Sequence, residues 1–145
     1  GNNAQLAALL GIRSEGVMDE RELQGVGNIG SLLEPVSLNA FGQHIAATLG
    51  REPLLVAGGE HSIQRIAWCS GGAQGYFEAA IAAGADVFIT GELSEPQAHY
   101  ARESGVAYLA CGHHATERYG VQAVGQYLAH TLGLQHTHID IDNPA

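Results

Sequence analysis

Residues 110–120, ACGHHATERYG, carry the densest set of potentially reactive side chains in the sequence. His113 and Glu117 are four residues apart at the predicted start of a helix. Because residues at i and i+4 share a helix face, the imidazole and the carboxylate can reach one ion. This pair of donors suits zinc, iron or manganese. The spacing therefore indicates two ligands of a divalent-metal site, although two ligands do not complete one.

A second interpretation of the same residues involves no metal. A glutamate in the first turn of a helix interacts favourably with the helix dipole. His113 and His114 can equally be loop residues whose ring nitrogens are hydrogen-bonded locally. The spacing alone leaves both interpretations open.

Two other patterns could hold a cofactor or a metal. Residues 25–30, GVGNIG, match the GxGxxG pattern of dinucleotide-binding sites. Such a site needs a long helix directly after the glycines, whereas a proline-containing segment follows here. A turn-rich hairpin is therefore favoured. His136, His138 and Asp140 share one face of a predicted last strand and could bind a metal. Such alternation is more typical of the solvated face of an edge strand.

Predicted strands and helices alternate along the chain. Such alternation is typical of right-handed crossovers and a largely parallel sheet flanked by helices. We therefore predict an α/β fold built from βαβ units, with residues 1–145 as a single segment. Helices are expected at 2–11, 37–50, 73–84, 94–105 and 116–133, strands at 53–58, 63–71, 85–91, 106–112 and 134–142, and one or two further strands before residue 34.

Three predicted strands end in residues suited to a binding site, namely 69–72 (CSGG), 90–92 (TGE) and 111–114 (CGHH). Ligands of parallel sheets bind beyond the carboxyl ends of the strands. If these strands are parallel, their ends lie along one edge, which is the expected position of a site. His99, on the helix after TGE, would point to that edge if its helix folds over it. Cys69 is either a nucleophile or, as its glycine neighbours favour, a small buried hydrophobe.

The composition excludes several classes of function. The net charge is −9, and all six basic residues are arginine, so lysine-dependent chemistry is excluded. No basic stripe is available for nucleic acid, and no apolar run approaches the ~20 residues of a membrane span. Two widely separated cysteines predict a reduced, cytoplasmic protein.

The stretches ADVFITGELSEPQAHYARES and GHHATERYG, with RIAWCSGGAQ upstream and IDIDNPA at the end, resemble a known family. They are similar to the C-terminal portion of Nif-three-like proteins, GTP cyclohydrolase I type 2 homologs, especially the bacterial YbgI branch. The resemblance covers essentially the whole chain. It implies a ring-like hexamer of identical subunits with a pair of divalent metal ions in each subunit.

The resemblance also implies roles for individual residues. It assigns metal ligation to His113 and Glu117, and places Thr90, Gly91 and Glu92 in a pocket beside the metals. No ligand role transfers to His114, which occupies a variable position. Glu92 and His114 are candidates for orienting water or substrate.

The remaining ligands implied by the resemblance are two adjacent histidines and an aspartate, all from the N-terminal portion of the family. The chain starts at Gly1 without a methionine, and it is expected to be a C-terminal fragment that is inactive alone. For the intact protein, two functions stay open. One is a metal-dependent hydrolase, with GTP ring opening as the implied possibility. The other is a non-enzymatic metal-binding or regulatory scaffold in ring form.

Overall fold

The structure, a computed structural model, describes residues 1–19 and 25–145. Its core is a six-stranded sheet with helices on both faces. In chain order the elements are α1 (Asn2–Leu10), β1 (Arg13–Val17), β2 (Asn28–Val36), α2 (Leu38–Leu49), β3 (Leu54–Val56), β4 (Ile63–Trp68), a 3-10 turn (Gln74–Tyr76), α3 (Phe77–Ala82), β5 (Val87–Thr90), α4 (Glu95–Ser104), β6 (Ala107–Ala110) and α5 (His113–Leu132).

The strand order across the sheet is β1-β2-β4-β5-β6-β3. The three strands β4, β5 and β6 are parallel neighbours, as expected from the alternation of strands and helices. The other pairings, β1–β2, β2–β4 and β3–β6, are antiparallel. The α/β class is confirmed, but the sheet is mixed and not largely parallel. Parallel pairing is restricted to the strands joined by the crossovers through α3 and α4.

The central strand β5 is buried along its whole length. Val87 and Ile89 face a cluster formed with α1 and α2, and Phe88 faces a second cluster formed with α3 and α4. In the second cluster the Phe88 ring lies 5.7 Å from the ring of Tyr108. A strand covered on both faces needs a continuous apolar run, which explains the sequence VFI at this point.

Predicted helix ends at α2 are confirmed. The Ser37 hydroxyl accepts a hydrogen bond from the Ala40 N–H at 3.2 Å, and Gly50 ends the helix in the left-handed conformation at φ 68°. This fixes α2 across the sheet so that Phe41, Ile45 and Leu49 are buried. None of the helices in the described ranges is long and apolar enough to span a membrane.

The glycine-rich segment 25–30 belongs to a hairpin, as favoured from the sequence. Gly25 and Gly27 have positive φ, and β2 begins directly after them at Asn28 and pairs antiparallel with β1. The next helix, α2, begins only after β2 has ended. A dinucleotide site of the GxGxxG type therefore does not form here.

The strand predicted at 134–142 is wrong. Residues 134–145 have no regular secondary structure and are exposed. The two edges of the sheet are β1 and β3, and this segment, which we call the tail, instead lies beside α5. A Cβ on Gly125 of α5 would overlap the His136 ring, so the helix leaves room for that imidazole. Alternating polar and apolar residues are typical of a half-buried strand, but they do not supply a partner strand.

Candidate metal centre

The ends of the three parallel strands converge, as predicted. The Gly91 N–H donates to the Gly71 carbonyl at 2.8 Å, and the Gly112 N–H donates to the Gly91 carbonyl at 3.0 Å. The Cys111 N–H donates to the Thr90 carbonyl at 2.8 Å. Backbone hydrogen bonding thus continues past the ends of the strands and holds the three loops against one another.

Two glycines allow this close approach. A Cβ on Gly91 would lie 2.6 Å from the His113 Cα and 2.7 Å from the Gly71 carbonyl oxygen. Gly71 has φ +73°, and a Cβ on it would overlap the Glu117 carboxylate and lie 3.1 Å from His113 Nε2. A larger residue at Gly91 would push against the backbone at the start of α5, and one at Gly71 would displace the side chains of the predicted metal ligands Glu117 and His113.

The His113 ring lies between two carboxylates. Its Nδ1 is 2.6 Å from Glu92 Oε1, and its Nε2 is 3.1 Å from Glu117 Oε2. The hydrogen bond with Glu92 raises the pKa of His113, and the charge of Glu117 acts in the same direction. The same hydrogen bond, together with one from Gln74, lowers the pKa of Glu92. The structure therefore brings together three predicted site residues, and all three side chains are about 40% exposed.

This arrangement fits a divalent cation at Nε2. Metal-bound histidines usually donate their other ring N–H to a carboxylate, which fixes the tautomer and the ring orientation. Glu92 is in that position at Nδ1, and Glu117 offers its carboxylate on the Nε2 side. Among residues 1–19 and 25–145, however, no group of three or more histidine, cysteine, aspartate or glutamate side chains has the geometry of a metal site.

Glu92 is held by three residues that the sequence analysis did not identify. Its Oε2 accepts from Gln74 Nε2 at 3.1 Å, and Gln97 Nε2 in turn donates to the Gln74 carbonyl at 3.1 Å. The Tyr108 hydroxyl donates to the Glu92 carbonyl at 2.6 Å. Burial raises the pKa of Tyr108, so this hydroxyl stays a donor. No motif spacing indicates these contacts, because they join residues that are 16 to 23 positions apart in the chain.

Two buried threonines fix the loops below the ligands. The Thr90 hydroxyl donates to the Gly71 carbonyl at 3.0 Å and accepts from the Ala73 N–H. The Thr116 hydroxyl accepts from the Gly71 N–H at 2.9 Å and donates to the Gly112 carbonyl. Thr90 is completely buried, so it shapes the loop beneath the pocket, whereas Glu92 faces the solvent.

Helix α1 connects the β4 loop to α5. The Asn3 side chain accepts from the Ser70 N–H at 2.9 Å, and the Asn3 carbonyl accepts from Trp68 Nε1 at 2.9 Å. Its neighbour Asn2 accepts from the Gly120 N–H at 2.9 Å. Both asparagines belong to the helix predicted at 2–11, and these contacts give them a positioning role that the helix prediction does not contain.

His99 and Cys69 do not join this centre. His99 is exposed on α4, and Gln97 is the residue of that helix that turns toward Glu92. Within the part of the chain that the structure describes, the Cys69 thiol has no histidine partner. Burial raises its pKa. The interpretation of Cys69 as a small packing residue is therefore favoured over that of a nucleophile.

The tail places Asp140 beside the other histidine of the motif. Asp140 Oδ1 is 3.1 Å from His114 Nε2, and its Oδ2 accepts from Arg118 at 2.8 Å. These two contacts, the one to His114 first, lower the pKa of Asp140. The hydrogen bonds of Asp140 with His114 and Arg118 involve neither His136 nor His138. His138 lines the neighbouring cavity.

A cavity of about 350 Å³ lies over the start of α5. Its helix side is formed by His113, His114, Glu117 and Arg118, and the tail forms the other side. A second cavity of about 550 Å³ lies beside it and also contacts His114 and Arg118, with Arg51 at its far side. The candidate metal ligands therefore face a space large enough for a small molecule.

Comparison with known proteins decides the family. The model of the family described as Duf34/NIF3 (NGG1p interacting factor 3) matches residues 1–144. The chain belongs to the DUF34/NIF3 family. The resemblance inferred from the GHHATE and ITGE motifs is thus confirmed at the level of the family.

Individual family members agree with this assignment. A Pseudomonas aeruginosa protein named "GTP cyclohydrolase 1 type 2 homolog" is 52% identical over 145 residues, and the match covers all of this chain and 57% of the relative. A solved structure titled protein ybgI, of unknown function, superimposes with a TM-score of 0.93 at 46% identity, over all of this chain and 57% of that one. TTHA1606 from Thermus thermophilus matches with a TM-score of 0.84 at 27% identity, over all of this chain and 56% of that one. The chain therefore spans a little over half the length of these relatives.

Proposed function

We propose that His113 and Glu117 provide two ligands of a divalent-metal centre in a longer DUF34/NIF3 protein. The observation that supports this most strongly is the His113 ring, whose Nδ1 is held by Glu92 while Nε2 faces Glu117. The remaining ligands come from a part of the protein outside these 145 residues. A pair of zinc, iron or manganese ions per subunit fits the nitrogen and oxygen donors.

The proposed activity is metal-dependent hydrolysis. When bound, two adjacent divalent ions lower the pKa of a bound water and stabilise a leaving oxygen. Glu92 keeps the proton on His113 Nδ1, and Gln74 keeps Glu92 in place. His114, which faces the same cavity, orients water or substrate.

GTP ring opening is the first reaction to test, because relatives carry the name "GTP cyclohydrolase 1 type 2 homolog". The free state of both cysteines fits a reducing compartment, and we place the protein in the cytoplasm.

A ring-shaped scaffold that binds metal without turnover is the second candidate. It is favoured by the apolar face of α5, where Val121 and Val124 are 63% and 57% exposed and Leu132 is 62% exposed. Exposed apolar stripes of this kind mark surfaces that contact another protein chain. A hexamer of identical subunits would use such a surface. Metal-dependent turnover separates the two candidates, because a scaffold shows none.

The Glu92→Gln variant tests the proposal in the longer protein that includes the upstream segment. Replacing the carboxylate weakens the orientation of His113, and we expect metal affinity to fall about 10–100-fold. Metal-dependent hydrolysis of GTP and of a phosphoester panel should fall with it. The exposed Glu103→Gln variant, with the same change of charge on α4, is the control and should behave as wild type. Unchanged metal affinity in Glu92→Gln would contradict the proposed role of Glu92.

A further inference from the structure

Arg118 is held in position independently of the tail. One guanidinium nitrogen donates to the Leu49 carbonyl at 2.6 Å, and the group lies 5.4 Å from the centre of the Tyr119 ring. The other terminal nitrogen points to Asp140. The side chain is only 23% exposed. Because the Leu49 contact fixes one side of the guanidinium, its other side remains directed at an anion even when Asp140 is absent.

The carboxylate that now satisfies this group belongs to an exposed segment, and its side chain is 44% exposed. Asp140 lies on the tail, which forms no ladder of backbone hydrogen bonds and is held at its end by the Ala145 carbonyl, which accepts from the His114 N–H at 3.3 Å. The two carboxylate oxygens of Asp140 contact His114 and Arg118 in a cavity open to solvent. Ion pairs at exposed positions contribute little to stability. A free anion with the same oxygen geometry can therefore compete with Asp140.

The pair formed by His114 and Arg118 lies beside the proposed metal ligands. His113 and Glu117 form one i, i+4 pair on α5, and His114 and Arg118 form the next, rotated by one residue around the helix. Both pairs line the cavity of about 350 Å³. An anionic group bound by the second pair would thus lie next to an ion bound by the first.

We propose that His114 and Arg118 form a phosphate-binding subsite, and that Asp140 occupies it when no phosphate is present. Phosphate suits the site because one guanidinium nitrogen of Arg118 and Nε2 of His114 face the two oxygens of Asp140, and two phosphate oxygens can take their places. Arg51, which lines the adjoining cavity and donates to the Ala145 carbonyl at 3.0 Å, adds a further positive charge. The inference rests on the proposed function in one respect, since it identifies the substrate of that centre as a phosphorylated molecule.

The test is titration of the 145-residue chain with inorganic phosphate by calorimetry at constant ionic strength. Metal is removed beforehand with a chelator and dialysis, so the subsite is measured alone. Asp140→Asn should bind phosphate about tenfold more tightly than wild type, because removing the occupant raises the fraction of open sites. Glu103→Gln is the control, because it removes one negative charge from the exposed surface of α4, and Glu103 lines neither cavity. This variant should bind phosphate as wild type.

A second set of variants identifies the residues that bind. Adding Arg118→Gln to Asp140→Asn should abolish saturable binding. His114→Gln in the Asp140→Asn background should weaken phosphate binding. This variant keeps the test valid if Arg118→Gln unfolds the chain because the contact with Leu49 is lost. Far-ultraviolet circular dichroism monitors folding. Equal gains in Asp140→Asn and Glu103→Gln, or no gain in Asp140→Asn, would overturn the proposal, as would acetate binding as tightly as phosphate.

This outcome is independent of the metal proposal. Phosphate binding by the metal-free chain supports the subsite even if the longer protein proves unable to bind metal. Conversely, failure of Asp140→Asn to bind phosphate rejects the subsite and leaves His113 and Glu117 as candidate ligands.

Discussion

Gly91→Ala is expected to destabilise the fold by about 3 kcal/mol, at the upper end of the usual cost of overpacking. The added methyl would lie 2.6 Å from the His113 Cα, 2.7 Å from the Gly71 carbonyl oxygen and 2.8 Å from the His113 nitrogen. All three are backbone atoms, so no side chain can rotate away. The loops after β4, β5 and β6 must separate, and their shared hydrogen bonds are lost. Urea unfolding followed by circular dichroism measures the change.

Gly75→Ala is the matched control for that experiment. Gly75 is exposed in the 3-10 turn, its φ is not positive, and a Cβ there would contact nothing within 4 Å. Its stability should stay within about 0.5 kcal/mol of wild type, as for surface substitutions in general. If Gly91→Ala were equally harmless, the three loops would be less tightly packed than described.

His113→Gln is expected to have the largest effect on metal binding in the longer protein. The substitution removes the proposed nitrogen ligand and separates Glu92 from Glu117. Metal affinity should fall by more than the about 10–100-fold that the loss of an outer-shell partner costs. Competition with a chromogenic chelator measures it.

His99→Gln serves as the control for His113→Gln, because His99 is exposed on α4 and away from the cavity. It should retain wild-type affinity for metal. Equal affinity of the His113→Gln and wild-type proteins would exclude His113 as a ligand.

The sequence predicted the geometry of the candidate centre where that geometry follows from local rules. Helical spacing paired His113 with Glu117, and the parallel order of three strands brought Glu92 to the same edge. It could not predict Gln74 or Gln97, because their roles depend on contacts between residues far apart in the chain.

The wrong strand prediction and the open question of His99 have a common physical origin. The alternation in residues 134–142 has the period of a strand, yet the sheet offers this segment no partner, and the tail lies along α5. The orientation of His99 likewise depended on how α4 packs. Gln97 forms a capping box with Ser94 at the start of α4, and its side chain is buried. Because this face of α4 packs inward, His99 is left in solvent. Periodicity determines which residues share a face, whereas packing determines which face is covered.

The most direct test of the divided centre is the amount of bound metal per chain. Elemental analysis compares the purified 145-residue protein with the proposed longer protein, which extends the chain upstream. We expect stoichiometric zinc, iron or manganese in the longer protein and none retained by the shorter one, because His113 and Glu117 alone do not complete a site. Tight stoichiometric metal on the 145-residue chain, or no metal on either protein, would contradict the proposed centre.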